Sequence, residues 1–65
     1  MDWKKTDSAI VGTAPNGDQY RIQGREKLWA LRVWNFILRA WIDQTWTFAS
    51  QAEAKDRAEE RAEGK

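Results

Sequence analysis

The sequence predicts an α+β domain: a three- to four-stranded antiparallel β-meander followed by one C-terminal α-helix packed on one face. Three observations carry that prediction. An Asn16-Gly17 pair sits between two alternating apolar stretches, and an alanine-rich segment free of Gly, Pro and β-branched residues runs from Gln51 to Ala62. Between them, residues 28–42 are dense in Trp, Leu, Ile, Val and Phe.

With 65 residues the chain is read as a single small domain over 1–65. Cys and His are both absent, which excludes disulfides, thiol chemistry, zinc fingers and imidazole catalysis. Burial must therefore stabilise the fold, although a chain this short removes only about 60% of its unfolded surface from water. The eight aromatic side chains compensate (five Trp, two Phe and Tyr20). Each can bury roughly 150–250 Å², more in total than so small a domain encloses, so some are expected at the surface.

The first strands are expected over about 8–14 and 19–24. Asn-Gly is the preferred pair for a two-residue hairpin turn with positive φ at both positions. Placed at Asn16-Gly17, that turn pairs Thr13 with Tyr20 and Val11 with Ile22 on the more apolar face, and leaves Ile10, Gly12, Arg21 and Gln23 on the other. The helix is expected over about 51–63. Ser50 followed by Glu53 forms a capping box, Glu53 and Arg57 form an i,i+4 ion pair, and the inward face is Ala54, Ala58 and Ala62 with Ala52 beside them.

Residues 25–48 admit two readings. As a helix from Arg25 to Asp43, they gather Arg25, Arg32, Asn35, Arg39 and Asp43 into one narrow polar stripe. As strands, about 28–34 and 37–42, Trp29, Leu31 and Val33 alternate with Ala30, Arg32 and Trp34. Periodicity does not separate the two for so apolar a run, but enrichment in Trp, Val, Ile and Phe favours strands. With Asn35-Phe36 as the turn, Val33 pairs with Leu38, Leu31 with Ala40 and Trp29 with Ile42, and these join Val11, Tyr20 and Ile22 as the core.

The order Trp3…Tyr20-x-Ile22…Trp29-x-Leu31…Phe48-x-Ser50-x-x-Glu53-Ala54-Lys55 resembles very short phage and prophage proteins. Those end in an aromatic, a Ser or Thr cap and a Glu-Ala-Lys helix packed on an antiparallel sheet. Some of this size inhibit host defence systems, anti-CRISPR proteins among them, and the resemblance implies a function of that kind. The stretch from Trp34 to Trp46 is longer and more aromatic than the pattern requires.

Carried through, the strand reading leaves Arg21, Arg32, Trp34, Ile37, Arg39 and Trp41 on a face that the single helix does not cover. It also sets Arg32 directly opposite Arg39, a like-charge pair that means either a different register or an anion between them. Trp and Arg are the residues most enriched at binding hot spots, so these six are the candidate partner-binding residues, the indoles as anchors and the guanidiniums on acidic groups. The occupant expected is a protein partner, with a second copy of the chain as the other way to bury the same face. Nucleic acid is the rival partner, because Arg beside Trp on an open sheet can stack bases and contact phosphates. The net charge of +1 argues against it by weakening the electrostatic attraction.

An enzyme is not expected. The carboxylates Asp2, Asp7, Asp18, Glu26 and Asp43 are scattered over turns and termini, Ser8 has no evident base, and Gly12, Gly17 and Gly24 make no phosphate-binding loop. No cofactor or metal is expected. No signal peptide or membrane span is read in the sequence, so a cytoplasmic location without membrane association is the expectation. The function read is a non-catalytic protein-interaction module, a phage or mobile-element accessory protein that inhibits or modulates a host protein.

Overall fold

In the computed structural model, which describes residues 1–64, six strands precede one helix: β1 (Asp2–Lys5), β2 (Ile10–Thr13), β3 (Gln19–Arg25), β4 (Leu28–Asn35), β5 (Ala40–Trp41), β6 (Trp46–Phe48) and α1 (Gln51–Ala62). All pairings are antiparallel. β1 to β4 lie side by side in chain order, and β5 and β6 share the remaining edge of β4, one at each end. The α+β class and the C-terminal helix agree with the sequence reading. The strand number does not, being six rather than three or four.

The central hairpin forms with its register shifted by one residue. Gly17 N donates to the Ala14 carbonyl at 2.9 Å, Ala14 N donates to the Asp18 carbonyl at 2.8 Å, and Gly17 sits at φ 97. This is a three-residue loop, Pro15-Asn16-Gly17, in which Pro supplies the first turn position and Gly the left-handed one. The extra loop residue moves every side chain of β2 to the other face. Ile10 now pairs with Ile22 and Gly12 with Tyr20, while Val11 lies opposite Arg21 on the open side. The expected Thr13–Tyr20 and Val11–Ile22 pairs do not form.

Beneath α1 the core consists of Ile10, Ala14, Tyr20, Ile22, Leu31, Val33, Ala54 and Ala58. Tyr20, Ile22, Leu31 and Val33 are essentially inaccessible, and burial of each contributes on the order of 1.5–3 kcal/mol. Leu38 and Ala40, expected in this core, are exposed, whereas Trp29 and Ile42 pack at its margin. Burial pushes the Tyr20 phenol above its ordinary value of 10.0; the Asp18 carboxylate adds to the rise and Arg61 opposes it.

Ser50 caps the helix as expected, its Oγ accepting from Glu53 N at 3.2 Å. Ala54 and Ala58 are fully buried and Ala62 partly, but Ala52 faces solvent. The Glu53–Arg57 pair is replaced by Arg57–Glu60 at 3.8 Å, exposed and worth only tenths of a kcal/mol. Alanine lets the helix lie close to the sheet, and two indoles wall its sides. Trp3 Nε1 donates to Glu59 Oε1 at 3.5 Å from the β1 edge, and the Arg61 guanidinium stacks 4.9 Å above the Trp46 ring from the β6 edge.

β1 and β6 went unread in the sequence. In β1 Trp3 alone is partly buried, among charged and exposed neighbours, and its partner is a glycine. Trp3 lies directly opposite Gly12, where an added Cβ would meet Trp3 Cε3 at 2.9 Å and Met1 Sδ at 2.5 Å. The indole thus covers bare backbone, a pairing that hydrophobic alternation does not reveal.

Candidate interaction surface

β4 and β5 are joined by Phe36-Ile37-Leu38-Arg39, not by a two-residue Asn35-Phe36 turn. Trp34 pairs with Trp41 and Asn35 with Ala40, so the expected Val33–Leu38, Leu31–Ala40 and Trp29–Ile42 register is displaced. The local cause is Asn35. Its side-chain oxygen accepts from Leu38 N at 2.9 Å, the i to i+3 pattern by which Asn opens a helical turn. Arg39 closes the loop at φ 52.

A second anchor comes from the neighbouring turn. Asp18 Oδ1 accepts from Phe36 N at 2.9 Å, and the Phe36 ring lies over Gly17, where an added Cβ would meet Phe36 Cγ at 2.8 Å. The backbone of the loop is thereby held from both sides, with Phe36 packed on the neighbouring turn and Ile37 and Leu38 exposed. Ile37 is 87% exposed, Leu38 71% and Phe36 48%. Leu28, also exposed, belongs to the far end of β4 and is separate.

The sheet face away from α1 carries two rows of side chains. Lys4, Val11, Arg21 and Arg32 stand opposite one another across four strands; beside them run Asp2, Thr13, Gln19, Trp34 and Trp41. Of the six residues the sequence singled out, Arg21, Arg32, Trp34 and Trp41 are therefore brought together on this face. Ile37 and Arg39 stand at the loop instead. Arg39 is not opposite Arg32; the cross-strand partner of Arg32 is Arg21. The expected Arg32–Arg39 pair does not form; Arg32 and Arg21 occupy opposed positions instead, where like charges can cost up to about 1 kcal/mol.

Three details fix the state of these arginines. The Arg32 guanidinium sits 5.2 Å from the Trp41 ring centre, which orients it. Arg21 Nε is shielded from solvent and has no acceptor. Among the described residues no carboxylate lies within ion-pair distance of either, the ion pair present being Arg57–Glu60. Trp34 is half-buried, edge-on to Phe36 at 6.3 Å. Phe36 and Leu38 are surface residues that the sequence reading does not single out, since it places Phe36 in the turn and Leu38 in the core. The signal was the Asn35 side chain, a stronger cap than a hairpin turn residue without a following glycine.

No family model, curated protein or solved structure matches this chain. Among the described residues no helix is long and apolar enough to cross a membrane.

Proposed function

We propose that this chain is a non-catalytic protein-interaction module that acts by occupying a partner's surface, as the phage-borne inhibitors of host defence that its sequence resembles do. The observation that carries the reading is the apolar loop. Phe36, Ile37 and Leu38 are exposed in succession in one loop, with exposed Trp41 on the strand that follows it, and exposed apolar patches mark interaction sites. The hydrogen bonds from Phe36 and Leu38 hold that loop in one shape before anything binds, which lowers the ordering cost of association. Arg21, Arg32 and Trp41 supply the polar and aromatic surround, and Trp34 stands opposite Trp41 with its ring edge-on to Phe36.

A protein is favoured over nucleic acid because the most exposed anchors are aliphatic. Ile and Leu offer bases no stacking platform, whereas they fill apolar pockets on a protein. The test is retention of a partner by the immobilised chain from a lysate of cells that carry the gene. Ile37→Ser with Leu38→Ser should lose that partner and leave far-UV circular dichroism unchanged, since neither side chain enters the core. Equal retention by the variant refutes the reading. Sedimentation separates self-association: a monomer at high micromolar concentration leaves the loop for a foreign protein, while a dimer abolished by the same substitutions assigns it to a second copy.

A further inference from the structure

We infer that the Arg21–Arg32 pair is a carboxylate site, and that the partner presents an acidic segment to the sheet face beside the apolar loop; this rests on the protein-facing reading above. The charges of the molecule are segregated. Glu53, Asp56, Glu59, Glu60 and Glu63 all lie on or at the end of α1, against Lys55, Arg57 and Arg61. The opposite sheet face carries Lys4, Arg21, Arg25 and Arg32 against Asp2 alone. A net charge of +1 thus conceals a cationic face backed by an anionic helix.

On that face the two arginines are opposed across β3 and β4, and among the described residues no carboxylate pairs with either. An arriving carboxylate offsets the like charge of the pair and can accept charge-assisted hydrogen bonds from guanidinium donors, whose fork matches its two oxygens. Arg32 is held for this by the Trp41 ring. Arg21 retains a shielded N–H without an acceptor, so its guanidinium is not committed to another group through that donor. Trp34 and Trp41 occupy the adjacent row, so an extended acidic segment crossing the arginines runs directly onto apolar surface.

The experiment is an NMR titration of the full chain with oligo-glutamate, and separately with oligothymidine of equal charge, at low and raised salt. Oligo-glutamate should shift the Arg21 and Arg32 Nε–H signals and the Trp41 indole N–H saturably. Arg21→Gln with Arg32→Gln should weaken it by at least about tenfold, whereas Lys55→Gln with Arg57→Gln on the helix should change it little. The first double variant removes a like-charge pair, so it should melt no lower than the parent, which shows that lost binding is not lost fold. Shifts no larger than those of the helix region, or binding unchanged in the Arg21/Arg32 variant, overturn the inference. Tighter binding of oligothymidine at the same signals replaces the acidic protein segment with a single-stranded nucleic acid. Oligo-glutamate carries no apolar side chain and reads the arginines alone. The Ile37/Leu38 variant reads the loop alone, so either proposal can fail without the other.

Discussion

Tyr20 shows how one residue ties the core to solution conditions. It is the single tyrosine of the chain and is almost wholly buried against the helix. Burial, with the Asp18 carboxylate acting in the same direction, holds its phenol neutral above the ordinary value of 10.0. The unfolded chain gives up that proton first, so above this value the folded state binds more protons and stability falls with rising pH. The contribution is present in full below pH 10.0 and is lost as pH climbs through the raised folded value. In alkaline melting series, Tyr20→Phe should flatten this decline. An identical decline in parent and variant would mean that the phenol ionises freely within the fold. The residue scale is also where sequence reading was most fragile. Val11 and Ile10 exchanged faces because Gly17 closes a three-residue loop rather than a two-residue one, and both loops satisfy the same Asn-Gly signal.

Among the elements, α1 was legible because its determinants are local: a Ser50 cap, alanines at helical spacing and no breakers. The strands were not equally legible. Their class followed from composition, but register depends on turn geometry, and Asn35 acts as a cap that lengthens the loop and turns Leu38 outward. β6 offered only the alternation Trp46-Thr47-Phe48, and pairs with a part of β4 that the sequence reading had given to residues 40 and 42. The candidate surface inherits this pattern. Arg21, Arg32, Trp34 and Trp41 share a face because the displaced register leaves the odd–even relation of β3, β4 and β5 unchanged; the loop residues depended on the register itself. At this scale the helix–sheet distance is open to test. Ala58 is fully buried against the sheet, so Ala58→Leu forces the helix outward and should lower stability by about 1–3 kcal/mol in denaturant melts. An exposed control, Ala52→Leu, should be near neutral. Equal effects would mean that the alanine face does not set the packing.

At the scale of the whole molecule the first and last elements close one core. Met1 and Trp3 pack against the same cluster that contains Ala54 and Ala58, and Trp3 reaches Glu59 across 56 positions of chain. Helix nucleation is unfavourable, and isolated segments as short as α1 are marginal in water, so the helix persists only while the sheet beneath it does. A two-stranded hairpin is equally marginal without further strands or a helix. The parts therefore stabilise one another, and the molecule should unfold in one step. Trp3→Ala tests this at the point where the termini meet. It uncovers Gly12 and removes the wall beside Glu59, and truncating an aromatic at a core margin costs on the order of 2–3 kcal/mol, a large share of the stability of so small a domain. In thermal melts of the variant, helical circular dichroism and tryptophan fluorescence should lose their structure together and at lower temperature. A helix that melts while the indole environments persist would show that the sheet stands alone, with the alanine-faced helix resting on it rather than completing it.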